Sequence, residues 1–334
     1  MAAMRAIRLD RGEIRVLILA LALASLVSIL YLAADAAGPG YAWRSVPLDD
    51  VWIHQVYARS IAQGHPFAYN PGEQETGSTS PLWALLLAPA HLLGIPPIGY
   101  SKVLGILLTA LAAFAGYRVA RQIGEPRAGV VFAAAFPLVP SFAFAAVSGT
   151  EVPLFVFLTL TAIGLALRER HRSAGIATGL AILARPEGFL LLGVIACAIW
   201  WTFAVDGRRG AASASRPRRA AAFVLPALVV IAPWILYCLV ATGRPLPATF
   251  YAKAHWFGPF SLAQFQRIGA LLTSQPFFGS SLGATAAVPG AVIGVLLVGL
   301  GTWRCARAGK PVLVLVGLFG WLFLYALSMG TPLG

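Results

Sequence analysis

Charge is scarce in this chain, and acid scarcer still. Of 334 residues only 11% are charged, with 12 Asp or Glu against 25 Lys or Arg. Ordinary soluble domains carry about 25% charged residues, so a soluble globule is excluded at the outset. Cysteine is nearly missing as well. Cys197 and Cys238 fall in apolar runs and Cys305 in a basic loop, leaving neither a disulfide framework nor a CxxC metal pair. The five histidines show no ligand spacing. No GxGxxG, P-loop or GxSxG element occurs, so nucleotide and serine-hydrolase chemistry have no support. The net charge of +13 would point to nucleic acid only if the cations formed a soluble patch. They stand instead in short clusters between apolar runs, as the positive-inside bias produces. No nucleic-acid partner is expected.

What the chain does have is apolar length: 59% of its residues are hydrophobic. The fold class is therefore an all-α polytopic membrane protein. With roughly 20 residues per crossing, about 9 spans are predicted, at 14–34, 100–120, 128–147, 152–168, 173–184, 188–205, 220–241, 284–302 and 311–328. The run from Val16 to Ala34 follows Arg5, Arg8, Arg11 and Arg15 without a small-residue cleavage site, so it reads as a retained first span. The remaining basic clusters are Arg118/Arg121/Arg127, Arg168/Arg170/Arg172, Arg208 to Arg219 and Arg304/Arg307/Lys310. Placing all of them on the cytoplasmic side, with the N-terminus, leaves 35–99, 148–151, 185–188 and 242–283 outside. The segment 81–98 is apolar but broken by Pro89, Gly94, Pro96 and Pro97, and crossing there would invert the Arg118–Arg127 cluster. It is predicted to be a juxtamembrane or re-entrant helix. One transmembrane domain, 1–334, is expected. It has a large first external loop with juxtamembrane helices at 35–99, a basic cytoplasmic linker at 206–219, and an outer loop at 242–283 whose Leu262, Phe265, Ile268 and Leu272 recur at helical spacing.

The residues with chemical potential cluster on those outer segments. Asp49 and Asp50 open an aromatic helix in which Asp50 and His54 share one face, while Gln55 and Arg59 share the neighbouring one. Gly64 is placed to stop that helix, Tyr69–Gly72 has the Pro-Gly order of a type II turn, and Ser80-Pro81 reads as an N-cap with proline at the first helical position. A carboxylate pair at a membrane surface can hold a divalent cation or deprotonate a sugar hydroxyl; it also arises as ordinary loop charge. Glu151 is the lone acid between Val130 and Leu167, at the start of a span, where it serves either as a helix-capping acid or as a functional one. Arg185 and Lys253 are cations on the face that the positive-inside bias depletes, suited to clamp a lipid phosphate or to snorkel to the headgroups. Tyr251 is either a substrate contact or an interfacial anchor. His54 and His255 are external and available to the same site.

The stretch DDVWIHQVYARSIAQGHPFAYNPGEQETGSTSPLW resembles the first external loop of membrane glycosyltransferases of the GT-C superfamily, nearest to the actinobacterial arabinofuranosyltransferase-like subgroup. SGTEVPLF, LARPEG and PLPATFYAK resemble further motifs of that subgroup in the same order, so the likeness covers about 49–83, 148–155, 183–188 and 245–253. It implies a GT-C-like helix bundle in the plasma (inner) membrane with the active site on the external or periplasmic face. A glycosyl residue, arabinofuranosyl in that subgroup, would pass from a polyprenyl-phosphate donor to a cell-envelope glycan, glycolipid or protein acceptor. The resemblance implies Asp49 or Asp50 as base on the acceptor hydroxyl, Asp49 preferred for its place at the start of the loop, and Glu151 as its assistant. It implies Arg185 and Lys253, with Arg59, as holders of the donor phosphate; His54 and Tyr251 remain substrate-binding candidates from the residue reading alone. No cofactor is required beyond the divalent cation an acid pair can hold. Family members continue with more spans and often a soluble external domain, whereas this chain stops at Gly334, so a fragment or a shortened member is expected. Two other classes fit the same composition. A flippase of lipid-linked sugar would need outer cations too, but should show paired broken helices in inverted repeats. An inactive membrane scaffold would show no transfer at all.

Overall fold

The computed structural model describes residues 9–33, 44–65, 67–70, 72–73, 75–206 and 216–253, with a few helical positions between 296 and 307. All regular structure among them is helical. Helix α1 (Arg11–Ala33) is followed by α2 (Asp49–Ala62), α3 (Pro81–Leu92), α4 (Pro97–Gln122), α5 (Pro126–Ala135), a 3-10 turn (Phe136–Leu138), α6 (Pro140–Ser148), α7 (Val152–Leu167), α8 (His171–Ala184), α9 (Gly188–Asp206), α10 (Arg216–Thr242) and α11 (Ala248–Lys253).

By length and apolarity, three helices can cross a membrane: Arg11–Ala33, Pro97–Gln122 and Pro217–Thr242. Pro126–Leu138 and Ser141–Ser148 together make a fourth if the pair, bent by 58°, is counted as one span. The bend falls where Pro137 and Pro140 remove backbone donors. The predicted spans 152–168 and 173–184 are helices of 16 and 14 residues, about 24 and 21 Å long, against a hydrocarbon core of about 30 Å. Helix α9, Gly188–Asp206, runs 19 residues, about 28 Å, and is apolar through Val205. Among the described residues three or four helices meet the length and apolarity of a crossing, and the count of about nine is not shown. The spans expected at 284–302 and 311–328 and the interfacial helix around Leu262–Leu272 lie outside the described residues, apart from isolated helical positions between 296 and 307. Segment 81–98 is the short α3 with a break before α4, as its prolines require.

The outward faces suit lipid. Val229, Leu236 and Val240 on α10 and Ile18, Ile29 and Leu30 on α1 are all exposed. Inside, helices approach through small residues, the usual device where lipid removes the hydrophobic drive between helices. Gly175 and Gly179 form a GxxxG on α8 against α10: a Cβ on Gly175 would sit 2.0 Å from the Phe223 carbonyl oxygen, and one on Gly179 2.9 Å from that of Ala227. Gly175→Val should lower stability by about 1–3 kcal/mol, read as earlier thermal aggregation in detergent. Around this contact Trp83, Leu87, Leu154, Phe155, Leu191, Ile195 and Phe223 make the main core.

Ion pairs gather the helix ends at one pole of the bundle. Arg121 reaches Asp10 at 2.7 Å, Arg118 reaches Glu13 at 3.5 Å, and Arg219 reaches Glu169 at 3.3 Å. The start of α2, the Ser148–Glu151 turn, Arg185 and the end of α10 belong to the opposite pole. The alternation of helix directions thus brings the segments that matter to one end.

Candidate functional site

The first loop is built to stay in one shape. Helix α2 ends where predicted, with Gly64 at φ +81°. The amide of Glu73 then donates to the Asn70 carbonyl at 3.1 Å with Gly72 at φ +89°, the geometry of the predicted turn. Phe67 packs on Trp234 and Tyr237 of α10, with ring centroids 4.8 and 5.5 Å apart, and the Tyr237 hydroxyl donates to the Glu75 carbonyl at 3.1 Å. Gly77 leaves room for the Tyr57 hydroxyl: a Cβ there would lie 2.5 Å from it. Burial, reinforced by the Glu75 charge, pushes that phenol well above its usual range, so it stays protonated. One detail departs from the sequence expectation. Ser80 occupies the N-cap position of α3 but makes no capping bond, and its Oγ is buried without a partner among the described residues.

The loop then meets the other three segments. The amide of Ala248 donates to the Thr76 carbonyl at 3.0 Å, pinning PLPAT to the first loop. The Trp83 indole donates to the Gly149 carbonyl at 3.1 Å. Gly149 adopts φ +83°, and a Cβ would meet Ser101 Oγ at 2.9 Å and Val51 at 3.1 Å, so the SGTE turn sits directly on the first turn of α2. From that turn Glu151 points inward and is buried. It does not cap α7; a capping bond would leave it facing the helix amides, and the carboxylate instead takes His54 Nε2 at 3.2 Å and Arg185 Nη1. Arg185 also donates through Nη2 and Nε to Glu187, at 2.8 and 3.3 Å.

Burial alone would push the Glu151 carboxyl up. The His54 hydrogen bond and the Arg185 charge outweigh it and hold the group down at about 2. Because the folded carboxyl titrates below its ordinary value, its stabilisation is complete above about pH 4.5 and fades as pH falls toward 2. Thermal unfolding in detergent should therefore show an acid limb in that window, and Glu151→Gln should make the limb shallower.

Each predicted site residue has a definite place. Asp49 and Asp50 are exposed in the first turn of α2, one turn before His54. His54, Glu151 and Arg185 form the buried chain of contacts just described. Arg59 is exposed in the last turn of α2, and no described bond joins it to that chain. Tyr251 lies under Arg244, whose guanidinium carbon is 5.1 Å from the ring centroid. Lys253 ends α11, but its side chain is outside the described ones, as is His255. Arg185 differs from an open phosphate clamp in that three of its donors already engage carboxylates. A guanidinium has five N–H groups, so two remain for a ligand.

Sequence reading passed over several residues that the structure places at or near this pole. Glu187 stands in the quoted RPEG motif and gives Arg185 its second partner. Arg244 is a cation at the same pole, beside the PLP segment. Lys102, buried, donates from Nζ to the Val147 carbonyl at 2.6 Å and so braces the end of α6 before the SGTE turn. Position in the proline-flanked start of α4 was the available signal for Lys102, but it reads equally as snorkelling. An apolar cleft opens beside these groups, walled by Pro81, Pro186, Phe189, Trp234, Leu246 and Phe250. Among the described residues no three His, Cys, Asp or Glu side chains stand together as a metal site.

No family model matches this chain, and no curated protein matches it. Among solved structures it is similar to an oligosaccharyltransferase of Archaeoglobus fulgidus, crystallised with zinc and sulfate, at a TM-score of 0.58 and 16% identity. The chain shares the fold of that oligosaccharyltransferase. The match covers 93% of this chain and 47% of the other, so this chain spans about half the length of the oligosaccharyltransferase it matches. The shared fold and the long apolar helices make this a helical membrane protein.

Proposed function

We propose that the protein is a GT-C-type glycosyltransferase that takes a sugar from a polyprenyl-phosphate donor at the pole where α2, the SGTE turn, Arg185 and α11 meet. The observation that carries this reading is the meeting itself. The segments 49–83, 148–155, 183–188 and 245–253, which carry the sequence resemblance, are far apart in the chain yet joined by the Trp83–Gly149, His54–Glu151–Arg185 and Thr76–Ala248 contacts. The oligosaccharyltransferase fold supports the same reaction class.

In this reading an exposed Asp49 or Asp50 takes the proton of the acceptor hydroxyl, whose oxygen attacks the anomeric carbon. The bond from that carbon to the phosphate oxygen breaks, and the electron pair leaves with the polyprenyl phosphate. The spare N–H groups of Arg185, with Arg244 and Lys253, meet the phosphate. The apolar cleft beside Pro186 receives the first isoprene units. The pole lies on the external face of the inner membrane, with the Arg118–Arg121 pole in the cytoplasm. The resemblance to the arabinofuranosyltransferase-like subgroup supports arabinofuranose as the first sugar to test, and the acceptor is a cell-envelope glycan, glycolipid or protein.

The test is a donor screen on purified protein in detergent, with polyprenyl-phosphate arabinose, mannose, glucose and galactose. Glycosylated product formed without any bilayer supports the reading and excludes a pure flippase. Absence of product with every donor and acceptor contradicts it.

A further inference from the structure

The pole opposite the candidate site holds more cations than its acids can pair. Asp10 and Glu13 open α1 as a capping box: the Glu13 amide donates to Asp10 Oδ1 at 2.8 Å, and the Asp10 amide to Glu13 Oε2 at 3.1 Å. Their other oxygens take the end of α4. Arg121 reaches Asp10 Oδ2 at 2.7 Å, while Arg121 and Arg118 reach Glu13 Oε1 at 3.4 and 3.5 Å. Every oxygen of the box is therefore engaged. Glu169 is committed as well, to Arg219 at 3.3 Å.

Arg168 and Arg170, in the turn after α7, are left over. Both are exposed, and neither forms an ion pair with any described residue. The charges of Arg118, Arg170 and Arg121 all act on Arg168, and Glu13 is the acid that opposes them there. Between these two arginines Glu169 takes φ +56°, a left-handed conformation that side chains rarely adopt. Arg118 is half-buried over the Phe114 ring, 5.8 Å from its centroid, and its Nε has no hydrogen-bond partner among the described residues. Four guanidiniums thus share the two carboxylates of the box. A guanidinium does not give up its proton in a protein, so the surplus charge cannot be shed by titration. It calls for an anion.

The surface beside the cations says which anion. Ile14 follows Glu13 directly on α1 and is 43% exposed, and Ile18, one turn on, is 61% exposed. The charges therefore border the apolar face that the helix turns outward. A phospholipid has the same order of parts, a phosphate and then hydrocarbon, and basic groups between helix ends at a membrane surface suit anionic headgroups. A soluble anion would have no use for the apolar half.

We propose that Arg118, Arg121, Arg168 and Arg170 form a binding site for the headgroup phosphate of an anionic phospholipid in the leaflet at this pole. The unpaired Arg168 and Arg170 meet the phosphate oxygens through their planar forks. Arg118 and Arg121 keep their bonds to the capping box and add charge from behind. The acyl chains lie along the apolar face of α1 that begins at Ile14. A bound lipid would so tie the ends of α1, α4 and α7 together. The site does not depend on the transferase reading, since none of its residues belongs to the other pole, and it holds for either orientation of the bundle.

The experiment follows thermal unfolding of the purified full chain in detergent as phosphatidylglycerol, phosphatidylcholine or inorganic phosphate is added. Wild type should gain a few degrees with phosphatidylglycerol and little with the other two. The double variant Arg168→Gln/Arg170→Gln should need about tenfold or more phosphatidylglycerol for the same gain. Arg127→Gln, which removes an exposed arginine of α5 outside the group, should respond as wild type does. Mass spectra of wild type released from detergent give a second reading that needs no variant to fold, with phosphatidylglycerol retained in preference to phosphatidylcholine. Equal gains or equal retention with the two lipids overturn the site, and so does an unchanged response in the double variant. A loss in Arg127→Gln as large as in the double variant shows diffuse charge and overturns it too. A gain with inorganic phosphate equal to that with phosphatidylglycerol overturns the lipid as its ligand.

Discussion

Replacing Arg185 by methionine should damage stability and activity together, and the pairing with Glu151 makes the two losses separable. The guanidinium bridges Glu151 and Glu187, with side chains only 10% and 19% exposed. Removing it strands two carboxylates, one of them buried, beside each other. Breaking a buried pair at one partner destabilises by about 3–5 kcal/mol; the partial exposure of Arg185 places the loss at the lower end. The double variant Arg185→Met with Glu151→Gln should recover much of the stability, because the stranded charge is gone, while transfer stays depressed by about 100-fold or more. Thermal unfolding and transfer rates measured on the four proteins of that cycle check both statements. Additive losses in stability would show that the bridge is not what holds the two segments.

The second large effect lies at Asp50. Asp50→Asn should reduce transfer by about 10²- to 10⁴-fold, the usual contribution of a general base. Because Asp50 is exposed and bonds no other described side chain, its thermal unfolding should move by no more than about 0.5 kcal/mol equivalent. Asp49→Asn should have the smaller effect, since Asp49 does not share the His54 face. The sequence reading leaned toward Asp49 because it opens the loop; helical phase argues for its neighbour. Full transfer by both asparagine variants removes the base from this helix altogether.

These two cases mark how far the sequence could be read. Local geometry was legible. The stop of α2 at Gly64, the turn closed by Glu73 on Asn70, the proline start of α3 and the short α3 itself follow from backbone rules acting within a few residues. So was the meeting of segments 49–83, 148–155, 183–188 and 245–253 at one pole, which charge clusters between the apolar runs had grouped together. What period and charge cannot show is which side chains meet once the poles assemble. The sequence treated Arg185 as a free clamp and Glu151 as a cap or an isolated acid, yet they satisfy each other across 34 positions. Lys102 and Glu187 were passed over because their partners, a carbonyl on α6 and a guanidinium two residues upstream, become visible only in three dimensions. Span number is less legible for a related reason. Composition marks an apolar run as a crossing, but α7 and α8 are helices of 16 and 14 residues packed against neighbours, so their length does not by itself mark them as crossings.

The central claim is that this pole cleaves a lipid-phosphate sugar and does not merely bind or move it. A single-turnover assay in detergent, with protein in excess over labelled polyprenyl-phosphate sugar and an acceptor present, tests that most directly. The account predicts one polyprenyl phosphate released for each glycosyl group transferred, with both lost together in Asp50→Asn. Donor recovered intact in detergent, yet carried across the membrane when the same protein is placed in vesicles, would contradict it.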